Sequence, residues 1–125
     1  LLPSSLVAIV AQRLVRTLCN RCKQEAPHHD FDLETLGLNI SGADVSLWHA
    51  VGCEACNHTG YQGRQAIYEV LRINDSFHDA IMGNANRQAI LKLAKENGMQ
   101  TMLEDGFSKA TQGITTLEEV LRVVK

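Results

Sequence analysis

Cys19, Cys22, Cys53 and Cys56 form two Cys-x2-Cys pairs with thirty residues between them, and they are the only cysteines in the chain. A two-residue gap lets both thiolates of one knuckle point at one ion, and two knuckles supply the four tetrahedral ligands of a closed structural zinc site. The intervening segment is longer than the common 15–20 residues. Loop-closure entropy grows only logarithmically, at roughly 0.6 kcal/mol per doubling, so the extra length costs little. Two disulfides, a redox pair or four unrelated thiols are the competing readings. Disulfides suit a secreted chain, and a redox motif needs one such pair opening a helix after a strand. Zinc is therefore expected on Cys19, Cys22, Cys53 and Cys56. A four-thiolate site keeps no open position, so the metal would hold structure rather than activate water. His58 could replace a thiolate but is expected to stand outside the ligand set. His28, His29, His49 and His78 show no ligand spacing.

These ligands need elements to position them. Ser4 and Ser5 followed by Leu6, Ile9, Val10, Leu14 and Leu18 follow helical spacing, which predicts a helix that ends at Cys19. No Gly, Pro or Ser-rich linker separates Arg13 from Cys19, so this helical joint is expected to be stiff. Residues 23–51 read as a looser segment exposed to partners, with Asp32 capping a short helix through Leu33 and Leu36. Trp48 is expected to pack against the metal module. Gly52, Asn57, Gly60 and Gly63 suit the turns of a knuckle. Residues 66–73 read as a short strand.

Beyond Asn74 the period becomes helical. A short helix is expected over 75–82, and Asn86 caps another carrying Ile90, Leu91, Leu93 and Ala94 up to Gly98. Thr101-x-x-Glu104 and Thr116-x-x-Glu119 are capping-box patterns opening two more. The adjacent acids Glu104-Asp105 and Glu118-Glu119 read as helix-start charges on the surface. The fold class expected is α+β, mainly helical: an N-terminal helix, a small four-Cys module, a short strand and a cluster of short helices. The expected divisions are 1–18, 19–64 and 65–125. Metal removal is expected to unfold residues 19–64 first, the C-terminal helices losing less.

Composition excludes several functions. The 125 residues are 45% apolar and 21% charged, an ordinary globular content. Twelve Lys and Arg against fourteen Asp and Glu give a net charge of −2, and only six residues are Phe, Trp or Tyr. A nucleic-acid module carries a basic face and stacking aromatics, so none is expected to bind here. Arg13, Arg16, Arg21 and Lys23 form the one basic stretch, read as solvated charges. The longest apolar run, Leu6 to Ala11, cannot span a bilayer. No basic region precedes it, so no signal peptide is expected. The start at Leu1 suggests a piece of something longer. No Gly-x4-Gly-Lys-Ser/Thr loop is present to cradle a triphosphate, and no catalytic residue is assigned.

Several strings then converge: Ala11-Gln12-Arg13-Leu14-Val15-Arg16-Thr17-Leu18-Cys19, Gly52-Cys53-x2-Cys56-x3-Gly60-Tyr61-x-Gly63-Arg64 and Tyr68-Glu69-Val70-Leu71. Glu104-Asp105-Gly106 and the run from Gln112 to Val123 complete the set. Together they resemble the C-terminal part of the hexameric secretion ATPases, the type II secretion and type IV pilus extension ATPases, over nearly the whole chain. The resemblance implies an upstream RecA-like core binding ATP and Mg²⁺, a homohexameric ring, and a cytoplasmic position peripheral to the inner membrane. Hydrolysis there would move an inner-membrane platform, driving pseudopilus growth for export or pilus growth. Residues 1–18 would be the last core segment, 19–64 the tetracysteine metal-binding subdomain and 65–125 the C-terminal extension. The fragment itself would bind no nucleotide. Ala66 stands where many members have Gly. Export is the first reading and pilus assembly the second. A free-standing zinc-ribbon nucleic-acid binder and a zinc-stabilised scaffold without a motor are the readings from other classes.

Overall fold

The computed structural model describes residues 8–26, 33, 36–38, 46–72, 83, 86–96 and 98–124. In chain order the elements are β1 (Ala8–Leu18), β2 (Gln24–Ala26), β3 (Leu47–His49), a 3-10 turn (Glu54–Cys56), β4 (Tyr61–Arg72), α1 (Arg87–Glu96), α2 (Met102–Thr111) and α3 (Leu117–Val124). The chain is α+β. β1 pairs with β4 in one two-stranded sheet, and β2 with β3 in another. The second pair is antiparallel, with Gln24 opposite His49, Glu25 opposite Trp48 and Ala26 opposite Leu47. No helix among the described residues is long and apolar enough to cross a membrane.

The helix expected before Cys19 is instead the eleven-residue strand β1. Ile9, Val10, Val15 and Thr17 are β-branched, stiff at χ1 and suited to a pleated surface. Pairing with β4 decides between the two readings, because it satisfies the backbone groups a helix would have satisfied internally. The short strand expected over 66–73 is likewise longer, running Tyr61–Arg72. The mainly helical expectation therefore gives way to long strands on both sides of the cysteine knuckles. The helix expected over 75–82 and the one capped by Asp32 lie outside the described residues.

Two compact units divide the chain: Leu1–Gln12 with Tyr68–Met102, and Arg13–Ile67 with Leu103–Lys125. In the first, the Asn86 side chain accepts the Ala89 N–H at 2.8 Å and caps α1. Gly98, at φ +85°, ends that helix, and the Met99 N–H returns to the Ala94 carbonyl at 3.0 Å. Val70 bridges Gln100, and the Met102 N–H that opens α2 donates to Glu69 at 3.3 Å.

In the second unit, Val15, Leu18, Ile67, Ala110, Leu117 and Val120 are buried. Gly106 lies where a Cβ would run into the Val120 side chain, so its lack of one sets how closely α2 and α3 approach. Within the loosely read 23–51 segment, Leu33, Leu38 and Leu47 are buried, and the Leu38 N–H donates to the Leu33 carbonyl at 2.9 Å. That segment thus buries these three leucines and pairs β2 with β3 rather than being wholly exposed.

A candidate metal centre on two cysteine knuckles

β1 delivers Cys19 at its end, and the following turn brings round Cys22. The Lys23 N–H donates back to the Cys19 carbonyl at 3.0 Å and closes this first knuckle. In the second knuckle the 3-10 turn Glu54–Cys56 follows Cys53 and carries Cys56 as its last residue. There the Cys56 and His58 N–H groups both donate to the Cys53 carbonyl, at 3.2 and 2.7 Å. Asn57 and His58 complete the turn with φ of 55° and 62°, a region non-glycine residues seldom adopt.

The four sulfurs lie within 4.8 Å of one another. Cys19 is 3.8 Å from Cys53, Cys22 is 3.9 Å from Cys56, and Cys53 is 3.8 Å from Cys56. A tetrahedron with metal–sulfur bonds of about 2.3 Å has edges of about 3.8 Å. All four cysteines are free, so their sulfurs are available as ligands. The donor set fits a tetrahedral thiolate-loving ion.

Backbone amides prepare this cluster for negative charge. The Gly52 N–H donates to Cys22 Sγ at 3.3 Å, while Cys53 and Gly60 each donate to Cys56 Sγ at 3.2 Å. Burial pushes the Cys56 thiol up, but the Cys53 and Gly60 amides and the Cys53 and Cys22 sulfurs outweigh it and bring it down to about 6. At Cys22 the Gly52 amide favours the thiolate. Burial and hydrogen bonds with the Cys53, Cys19 and Cys56 sulfurs win there and push the group up to about 11. The Gly52, Cys53 and Gly60 N–H groups thus favour the thiolate forms that a metal ion would take up.

Gly60 joins the two knuckles. Its N–H reaches Cys56, its carbonyl accepts the Cys19 N–H at 2.9 Å, and at φ +85° a Cβ would sit 2.5 Å from that of Ala50. The sequence reading assigned Gly60 only a turn; its place in the string Gly60-Tyr61-x-Gly63-Arg64 was the available signal. His58 is exposed, and among the described residues the clustered metal-ligand types are the four cysteines alone. His49 is exposed on β3; His28, His29 and His78 lie outside the described residues.

Two members of the basic stretch are engaged in this unit rather than merely solvated. Lys23 lies over the Trp48 ring at 5.0 Å and donates to the Gly113 carbonyl at 2.8 Å. Arg16 lies over the Tyr61 ring at 4.2 Å and pairs with Glu119 at 2.8 Å. Trp48, on β3, also lies against Gly113, where a Cβ would come within 3.0 Å of the ring.

Residues 1–122 match the family described as Type II/IV secretion system protein. The chain is 45% identical over 121 residues to the Type IV pilus assembly ATPase PilB of Thermus thermophilus, covering 94% of this chain and 13% of that protein. It is 42% identical over 125 residues to the Type II secretion system protein E of Aeromonas hydrophila, covering 100% of this chain and 25% of that protein. The Type II secretion system ATPase E of Vibrio cholerae is also 42% identical, with 100% and 24% covered. The chain spans a quarter or less of the length of these relatives. With all but its last three residues inside the match, the chain belongs to the type II/IV secretion system protein family.

Proposed function

We propose that this chain is the C-terminal, zinc-holding segment of a hexameric secretion ATPase that powers pseudopilus assembly and protein export. The observation that carries the reading is the cluster of four sulfurs, all within 4.8 Å of one another and three of the six separations at 3.8 to 3.9 Å, in a chain matched to the family over residues 1–122. Cys19, Cys22, Cys53 and Cys56 would each bind through Sγ. Bound zinc would cross-link the two knuckles, with no coordination position left for water or substrate. Residues 1–18 are the last segment of the ATPase core, 19–64 the metal module and 65–125 the C-terminal extension. ATP and Mg²⁺ belong to the upstream core, which also forms the ring. The assembled machine works on the cytoplasmic side of the inner membrane against its membrane platform, without inserting into the bilayer.

Identity of 45% to a pilus assembly ATPase supports pilus growth as the second reading. A zinc-ribbon nucleic-acid binder draws less support, since the net charge is −2 and both Arg16 and Lys23 are engaged within the unit.

Elemental analysis tests the metal assignment. One zinc per chain is expected, lost on Cys53→Ser, and secretion by cells carrying that change should fall. Full zinc occupancy in Cys19→Ser/Cys53→Ser would overturn the four-thiolate site. Calorimetry should detect no ATP binding to residues 1–125, and micromolar binding there would overturn the division of labour.

A further inference from the structure

The segment between α2 and α3 is tied to the strand and turn that carry the first knuckle. The Leu18 N–H donates to the Ile114 carbonyl at 2.8 Å. The Thr115 hydroxyl donates to the Arg16 carbonyl at 2.7 Å, and the Arg16 N–H donates to Glu119 at 2.8 Å. In a strand, the N–H and C=O of residues i and i+2 face one edge. Arg16 and Leu18 thus present one edge of β1, and residues 114–119 satisfy it through the Ile114 carbonyl and the Thr115 and Glu119 side chains. Beyond Cys22, Lys23 reaches across to the Gly113 carbonyl at 2.8 Å. From β4, the Tyr61 hydroxyl meets that of Thr116 at 2.9 Å.

These partners are not interchangeable with water. Thr115, Thr116 and Glu119 are each at most 2% exposed, so breaking the contacts would strand buried polar groups. Gly113 ends α2 at φ +77°, with the Ile114 N–H returning to the Lys109 carbonyl at 3.1 Å. The same turn that closes α2 therefore presents the carbonyls that the knuckle side grips. Residues 103–125 belong to one compact unit with the cysteines, whereas α1 belongs to the other.

We infer that residues 113–119 are a latch through which the state of the cysteine cluster sets the order of α3, with Lys23 and Thr115 as its fastenings. Metal on the knuckles fixes the end of β1 and the turn bearing Lys23; these fix the 113–119 segment, and that segment fixes the start of α3. The order of loss on metal removal then differs from the one expected from sequence: α3 loosens with the knuckles, and α1 stays. The inference rests on the metal-binding reading for its trigger, while the fastenings stand on the contacts themselves.

Hydrogen exchange read by mass spectrometry on the purified protein, with zinc content measured beside it, tests the latch. Removing zinc with a chelator should accelerate exchange in residues 114–124 at least tenfold while residues 87–96 change less than twofold. Lys23→Met and, separately, Thr115→Val should accelerate exchange in residues 114–120 several-fold at unchanged zinc content, and Lys23→Arg should restore part of the protection. Unchanged exchange in α3 after confirmed zinc loss would overturn the latch, as would equal loosening of α1 and α3. Protein that takes up no zinc would instead overturn the metal reading. The latch would then be decided by Lys23→Met and Thr115→Val alone, and normal protection in both would overturn it.

Discussion

Arg16 grips Glu119 twice, through its backbone N–H at 2.8 Å to one carboxylate oxygen and through its guanidinium at 2.8 Å to the other. Arg122 adds two contacts at 2.9 Å from one turn further along α3. The Glu119 side chain is 1% exposed, while those of Arg16 and Arg122 are 49% and 58% exposed. The carboxylate is the buried member of the cluster. The Arg122 guanidinium and then, against the opposing effect of burial, Arg16 hold it down from 4.5 to about 2.

A group whose pKa is depressed on folding contributes stability that is present above its unfolded value and lost as pH falls through the folded one. Glu119 should therefore stabilise the fold fully above about pH 4.5 and lose that contribution between 4.5 and 2. The size is at most about 3 kcal/mol, reduced by solvent screening of the exposed arginines. Urea midpoints measured at a series of pH values should show this acid limb, and Glu119→Gln should flatten it. At neutral pH the same change should cost roughly 1–2 kcal/mol, since the arginines left behind can turn to water. A Glu119→Gln protein with an unchanged acid limb would assign that limb to other carboxylates.

Local chemistry was readable and distant chemistry was not. The cysteine knuckles announce themselves because two ligands of one ion must lie two residues apart, whatever surrounds them. Asn86 and Thr116 were readable as caps for the same reason, since each accepts an N–H three residues along, from Ala89 and Glu119. Glu119 read as a surface charge closing a capping box. Its carboxylate instead serves Arg16, 103 positions earlier in the chain, which no local pattern records. β1 departs from the helical spacing of Leu6, Ile9, Val10, Leu14 and Leu18 because the hydrogen bonds that make it a strand come from β4. Its β-branched residues were the local sign that pointed the right way.

Gly60→Ala should weaken metal retention without touching a ligand. At φ +85°, the new Cβ would lie 2.5 Å from the Ala50 Cβ and 3.1 Å from its Cα. Backbone strain and overlap together should cost about 2–4 kcal/mol, and the displaced N–H would leave Cys56. Competition with a chromogenic chelator should show at least a tenfold loss of zinc affinity. Gly98→Ala has a similar φ of +85° but nothing within 4 Å of the new methyl. It should cost only about 1–2 kcal/mol and leave zinc affinity unchanged.

Asn86→Ala should act on the other unit. The cap it removes, a 2.8 Å bond to the Ala89 N–H, is worth about 1 kcal/mol at a helix start. Exchange in residues 87–96 should quicken accordingly, with zinc content and exchange in residues 117–124 unaltered. Acceleration in α3 of the same size would mean that α1 is not independently ordered.

Gly106→Ala sets two effects against each other. Replacing a mid-helix glycine by alanine favours α2 by roughly 0.8–1 kcal/mol through backbone propensity. Against that, the new methyl would overlap both γ-carbons of Val120. Val120 is 0% exposed and β-branched, so it cannot swing aside into solvent or into another rotamer at small cost. Overpacking of this kind costs about 1–3 kcal/mol, and the overlap should win, lowering the urea midpoint. Val120→Ala alone should also destabilise, by opening a cavity beside Gly106. Combined, Gly106→Ala/Val120→Ala should be more stable than the sum of the single losses allows, by at least about 1 kcal/mol, because the methyl then fills the space the valine vacates. Strict additivity in that double-mutant cycle would show that α2 and α3 do not meet at Gly106 and Val120.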